Sequence, residues 1–195
     1  MAGPPRGSEW RFAGAVSPGG TPPRLRLPEI AFAGRSNVGK SSLINRLTRA
    51  PGLARTSRTP GRTQQINFFA GRAEIVFADL PGYGFARVPS HVRESWKALI
   101  EGYLERREEL RGVIVLVDLR RGLEADDAEL LRYLEALGRP RVVVATKVDK
   151  LGRSDRARAL EAIRACDVEP VCFSAHSGEG ESELWRRIQG LVSTA

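Results

Sequence analysis

Residues 34–41 read Gly34-Arg35-Ser36-Asn37-Val38-Gly39-Lys40-Ser41, a G-x-x-x-x-G-K-[ST] string whose spacing suits a polyphosphate. Its two glycines let the backbone wrap closely enough for successive N–H groups to point at phosphate oxygens. Lys40 supplies positive charge for the β- and γ-phosphates, the Ser41 hydroxyl is a ligand for Mg²⁺, and a helix starting here adds its positive N-terminal dipole. Asp79-Leu80-Pro81-Gly82 follows downstream. Its Asp is suited to hold Mg²⁺ through water, and its Gly offers an N–H to a γ-phosphate. Alone, Asp-x-x-Gly is common turn chemistry, and its weight comes from its position after the phosphate loop. Between the two strings, residues 50–64 hold Thr56, Ser57, Thr59 and Thr63 amid Pro and Gly. Thr63, beside the next apolar run, is the expected further hydroxyl for the ion.

Thr146-Lys147-Val148-Asp149 addresses the base. Asp149 can accept two hydrogen bonds, from guanine N1–H and from its exocyclic amino group. Adenine has an acceptor at N1 and no 2-amino group, so it would leave the carboxylate unpaired. Lys147 can lay its aliphatic stem over the base plane. Ser174-Ala175-His176 can complete the pocket, with the Ala175 N–H aimed at guanine O6.

These strings have to be positioned by regular elements. Ile30–Ala33, Ile75–Ala78, Val113–Val117, Val142–Ala145 and Val168–Phe173 are short apolar runs of the length of buried strands, and Gln65–Phe69 alternates as a sheet-edge strand would. Residues Lys40–Arg49, His91–Leu110, Glu124–Leu137, Ser154–Ala165 and Glu181–Leu191 read as helices. Nearly all-apolar strands alternating with helices predict a doubly wound α/β domain: a mostly parallel six-stranded sheet with one antiparallel edge strand and helices on both faces. Ligands of such sheets bind beyond the carboxyl ends of the strands, where each string falls. Met1–Pro28 is rich in Gly, Pro and Arg, which predicts a flexible basic arm over residues 1–24, with Trp10 and Phe12 available to tack it onto a domain spanning 25–195.

The chain of 195 residues suits one core. No apolar stretch approaches the ~20 residues of a membrane span, and the N-terminus lacks the apolar region of a secretory signal, so a cytoplasmic protein without membrane association is expected. Cys166 and Cys172 lack metal-ligand spacing and are expected to pack as small hydrophobes. The net charge of +8 is uneven: residues 1–72 carry twelve Lys/Arg against two acids, and the remainder is slightly acidic. That asymmetry predicts an anionic partner, nucleic acid foremost, although a solvated basic surface has the same composition. His91 and His176 come with no nucleophile. The acids and arginines at 101–109 read as a solvated helix face, and Trp96, Tyr103 and Trp185 as packing residues.

The combination of Gly34–Asn45, Pro60-Gly61-Arg62-Thr63-Gln64, Asp79-Leu80-Pro81-Gly82-Tyr83-Gly84-Phe85-Ala86, Thr146–Lys150 and the closing Phe173-Ser174-Ala175 resembles the EngB family of bacterial ribosome-assembly GTPases, from about Glu29 onward. The resemblance implies a single Ras-like domain that binds GTP or GDP with Mg²⁺ and hydrolyses GTP. It further implies association with the large ribosomal subunit during its assembly and a link to cell division and septation. Ser41 and Thr63 would be direct Mg²⁺ ligands. The nucleotide-binding set would extend to Ser42, Gly61, Arg62, Gln64, Gln65, Leu80, Pro81, Val148 and Phe173. Ser174-Ala175 departs from the Ser-Ser common in that family, a small matter if the backbone makes the contact.

Hydrolysis needs an in-line water, neutralised transition-state charge and a group orienting the water. Lys40, Thr63, Gly82 and Asn37 are the candidates for this chemistry. Ras-type enzymes have Gln directly after Asp-x-x-Gly, and Tyr83 stands there instead, which predicts slow intrinsic turnover and acceleration by a partner. Asn37 has two readings: a turn residue, or a ligand to K⁺ as in potassium-dependent relatives. Two other functions compete with the ribosomal switch: a regulatory GTP-binding module of the division machinery, and a P-loop phosphotransferase, against which the Thr-Lys-Val-Asp string argues. A monomer is the default for such a switch.

Overall fold

The computed structural model describes residues 9–54, 65–71, 74–83 and 90–193. Among these, β1 (Trp10–Val16), β2 (Glu29–Gly34), β3 (Ile66–Gly71), β4 (Ile75–Asp79), β5 (Leu110–Asp118), β6 (Arg141–Thr146) and β7 (Val171–Phe173) form one sheet in the order β1-β3-β4-β2-β5-β6-β7. β2 pairs in parallel with β4 and β5, and the ladder continues in parallel through β6 to β7. β3 is antiparallel to both of its neighbours, β1 and β4. The helices are α1 (Lys40–Thr48), α2 (Ser90–Arg106), α3 (Ala125–Ala136), α4 (Arg153–Arg164) and α5 (Glu181–Ser193).

The doubly wound α/β expectation is met, and the period of the strands shows why. Along β2, Ile30 and Phe32 join one apolar cluster with Leu43, Ile44 and Leu47 of α1 and Leu184, Trp185 and Ile188 of α5. Ala31 and Ala33 face the opposite cluster, with Tyr103 and Leu104 of α2, Leu131 and Leu134 of α3, and Leu160 and Ile163 of α4. Both faces are covered, so an alternating strand still reads as uniformly apolar.

The strand count needs correction from six to seven. Trp10–Val16, read from the sequence as part of a flexible arm, is β1, and it covers β3, so the one antiparallel strand is not at the edge. A bulge hid it: Phe12 pairs with Phe69 and Gly14 with Phe68, leaving Ala13 as an extra residue. One extra residue flips the face. Trp10 consequently packs in the α1/α5 cluster and Val16 in the other, six residues apart on what unbroken alternation would make one side. Trp10 lies across Gly71, where a Cβ would come within 2.8 Å of the indole, and its ring centroid is 4.3 Å from that of Phe77.

Smaller departures have local causes. β7 starts at Val171 rather than 168 because Pro170, lacking an N–H, precedes it. The helix expected to reach Leu110 ends at Arg106, and Leu110 opens β5. The helix face read as solvated is partly internal: Arg107 Nη2 meets Oε1 of fully buried Glu29 at 2.6 Å, and Tyr103 Oη donates to Glu29 Oε2 at 2.8 Å. Trp96, Tyr103 and Trp185 are buried packing residues as expected, whereas Cys166 is exposed rather than packed.

Candidate nucleotide site

The strings at 34–41, 79–82, 146–149 and 174–176 meet at the carboxyl ends of β2, β4, β6 and β7, with the end of β5 between β2 and β6. β2 stops at Gly34, where a Cβ would lie 2.9 Å from Val38 Cγ1 and 3.0 Å from the Leu116 carbonyl oxygen, so glycine is needed for the loop to leave the sheet. The loop turns through left-handed Asn37 (φ 63°) and Gly39 (φ 108°) into α1. Gly39 is the N-cap and makes no side-chain cap, and no acid lies in the first turn. The N–H groups at the start of the helix, around Lys40, Ser41 and Ser42, are thus open to an anion.

Lys40 Nζ is ion-paired with Asp79 Oδ1, both nearly buried, so the phosphate lysine and the carboxylate expected to hold Mg²⁺ are adjacent. The Asp79 carboxylate and Ser41 hydroxyl are hard oxygen donors of the kind Mg²⁺ takes. Leu80 and Pro81 are buried, and the Leu80 N–H donates to the Phe32 carbonyl at 3.0 Å, holding the segment against β2. Gly82 packs on the phosphate loop: a Cβ there would come within 2.8 Å of Ser36 Oγ and 3.3 Å of Ser36 Cα. The Ser36 N–H donates to the Tyr83 carbonyl at 3.1 Å. β3's register, with Asn67 opposite Asp79, brings exposed Gln65 past the carboxyl end of β4. Gly61, Arg62, Thr63 and Gln64, with Arg55 and Arg58, lie outside the described residues.

On the base side, buried Thr146 donates through Oγ1 to the carbonyls of Val38 (2.7 Å) and Val117 (3.1 Å), bracing the phosphate loop from β6. Lys147 is left-handed (φ 60°), and its Nζ donates to the Asn37 carbonyl at 2.6 Å. Val148 is buried and starts the 3₁₀ turn Val148–Lys150, which presents Asp149. Ser174, fully buried after Phe173, donates through Oγ to Asp149 Oδ1 at 2.7 Å and accepts from the Ser177 N–H at 3.1 Å. The Ser174 hydrogen bond is the main influence holding the Asp149 carboxyl below its ordinary pKa, so it stays an acceptor. Ala175 is half-buried beside it and His176 is exposed.

Three relationships were not read from the sequence. Tyr83 Oη donates to Asp127 Oδ1 at 2.8 Å, and burial with the neighbouring Asp127 carboxylate raises its pKa far above the ordinary phenol value. Arg35 bridges the phosphate loop to the start of α3 through Asp126 (2.6 Å) and Glu124 (3.1 Å). Asp118, ending β5, accepts from Lys147 Nζ at 2.8 Å and from Arg120 at 2.7 and 2.9 Å. Burial alone would raise the Asp118 pKa, but these hydrogen bonds prevail and hold it at about 2. The strand-end rule that located Asp79 and Asp149 was a signal for Asp118 too. A cavity of about 100 Å³ runs between this carboxylate, Arg35, Asn37, Glu124 and Lys147.

The sequence profile of the 50S ribosome-binding GTPase family matches residues 29–147. A probable GTP-binding protein EngB of Solibacter usitatus is 57% identical over 166 residues, covering 85% of this chain and 87% of its own. The chain belongs to the EngB family of GTP-binding proteins. Its counterpart from Desulforamulus reducens is 49% identical over 184 residues, covering 91% of this chain and 89% of its own. A crystal structure of a probable EngB superposes with a TM-score of 0.69 at 29% identity, covering 86% of this chain and all of that one. As an EngB-family chain it is a P-loop GTPase.

Proposed function

We propose that this EngB-family protein is a GTP-hydrolysing switch in the assembly of the large ribosomal subunit, acting as a monomer in the cytoplasm and contributing through that role to normal cell division and septation. The observation that carries the reading is the convergence of Lys40, Asp79 and Gly82 with Asp149 and Ser174 at one end of the sheet of a chain whose family is described by binding to the 50S ribosome.

Lys40 leaves Asp79 for the β- and γ-phosphates when nucleotide enters. Ser41, Thr63 and, through water, Asp79 would hold Mg²⁺, which neutralises phosphate charge. Gly82 gives its N–H to the γ-phosphate, so its position reports the triphosphate. Turnover of the isolated protein is slow because the side chain after Gly82 is a neutral phenol already donating to Asp127, which leaves the water without an orienting amide. A ribosomal particle accelerates the reaction. The Asn37 carbonyl is engaged by Lys147 and its backbone is left-handed, as the turn reading requires. Its additional role in binding K⁺ predicts faster hydrolysis in K⁺ than in Na⁺, and equal rates remove it.

The decisive experiment is sedimentation of the protein with purified large subunits and their precursors, loaded with a non-hydrolysable GTP analogue or with GDP. Co-sedimentation with the analogue alone is expected, weakening with salt and on joint replacement of Arg55, Arg58 and Arg62 by Ala. Absence of binding in either state would favour the regulatory module of the division machinery.

A further inference from the structure

Lys147 is a flexible side chain on a left-handed residue, and immobilising such a chain costs up to about 2 kcal/mol of rotamer entropy. Something must hold it if its stem is to cover a base. Its Nζ has two partners, the Asn37 carbonyl at 2.6 Å and Asp118 Oδ2 at 2.8 Å. The carbonyl belongs to the phosphate loop. The carboxylate comes from the end of β5, in register beside Thr146, the residue before Lys147.

Asp118 is built to be rigid. Its side chain is 8% exposed, and Arg120 grips it with Nε on Oδ1 at 2.9 Å and Nη2 on Oδ2 at 2.7 Å. The Arg120 backbone N–H adds a bond to Oδ1 at 3.1 Å. A carboxylate fixed in this way restrains one further group, and that group is the Lys147 ammonium.

We propose that Asp118 is a positioning residue for guanine-nucleotide binding: it pins the Lys147 ammonium against the Asn37 carbonyl, setting the path of the Lys147 stem and tying the base subsite to the phosphate loop. A neutral amide of the same size has one acceptor oxygen, which can stay with Nε and the backbone N–H of Arg120, while its NH2 turns a donor toward Arg120 Nη2 and the Lys147 ammonium, so the charge-assisted bond that pins the lysine is lost. The proposal rests on the guanine-site reading.

The test is a double-mutant cycle on the full chain, titrating GDP and a non-hydrolysable GTP analogue into the parent, Asp118→Asn, Lys147→Met and the double variant. Asp118→Asn is expected to weaken both nucleotides about tenfold, in line with a lost hydrogen bond to a charged group. In the Lys147→Met background the same change is expected to cost less than about twofold, because the ammonium it acts through is gone. An equal loss in both backgrounds, or none in the single variant, overturns the proposal. Arg120→Ala keeps the Asp118–Lys147 contact and is read alongside, independently of whether Asp118→Asn folds. Affinity within about twofold of the parent supports positioning through Lys147, and a tenfold loss assigns Asp118 to the Arg120 turn instead. A parent that binds no GDP would remove the guanine-site reading itself, a different outcome from all of these.

Discussion

Gly180 and Gly122 have similar left-handed backbones, with φ of 81° and 72°, but different surroundings. A Cβ on Gly122 would meet nothing within 4 Å. On Gly180 it would fall inside the envelope of the Cys172 carbonyl oxygen, 3.0 Å from that carbonyl's carbon and 3.4 Å from Phe173 Cα. Gly122→Ala is therefore expected to cost only the backbone term, about 1 kcal/mol. Gly180→Ala adds overpacking against the β7 backbone, about 1–3 kcal/mol more. The added methyl cannot escape by rotation, because its nearest neighbours are main-chain atoms. β7 leads directly into Ser174, whose N–H donates to the Glu179 carbonyl at 3.1 Å and whose hydroxyl orients Asp149, so the displacement reaches the base site. Urea unfolding of the two variants beside the parent measures the stabilities, and titration with a fluorescent GDP analogue measures the site. The expected result is a loss of about 2–4 kcal/mol with weakened GDP binding for Gly180→Ala, against about 1 kcal/mol and parental binding for Gly122→Ala. Losses equal within about 0.5 kcal/mol would refute the steric reasoning.

Tyr83→Phe removes the phenol from Asp127 without touching a water-orienting group, so single-turnover GTP hydrolysis is expected within about threefold of the parent, while stability falls by about 1 kcal/mol in urea unfolding. Arg107→Ala leaves Glu29 charged and fully buried without its ion pair, and chemical unfolding is expected to show a loss of about 3–5 kcal/mol; joint replacement of Glu29 and Arg107 by Met should cost less. The Asp118 carboxyl is held at about 2, below its ordinary value of 3.8. It thus contributes stability that is complete above pH 3.8 and is lost as pH falls through about 2, and Asp118→Asn should flatten the stability profile of the native chain across that window.

The candidate site was legible to the extent that its chemistry is local. Gly34–Ser41 is a strand end, a turn and a helix start, and each requirement is met within eight consecutive residues: glycine where a Cβ would strike Leu116, left-handed turns, an uncapped helix. Asp79 was recognisable because it directly follows an apolar run and so marks a strand's carboxyl end, and Asp149 because its Thr-Lys-Val-Asp string follows another. β1 was not legible, because alternation is the signal for a strand and the bulge at Ala13 breaks it midway. Arg107 was misread as solvated because charge at helical spacing says nothing of a buried Glu29 seventy-eight positions earlier.

The α/β class, the phosphate loop, the place of Asp149 after an apolar strand and the order in which these follow one another can be read along the chain, since each depends on residues close together in it. The partner of each candidate site group is set by folding: Lys40 meets Asp79, Lys147 meets Asp118 and Asn37, Tyr83 meets Asp127, and Asp149 meets Ser174. Those partners stand 25 to 110 residues apart. They meet because parallel strands joined by helical crossovers bring their carboxyl ends to one edge, a geometry that fixes hydrogen-bond partners while leaving no periodic trace in the residues that supply them.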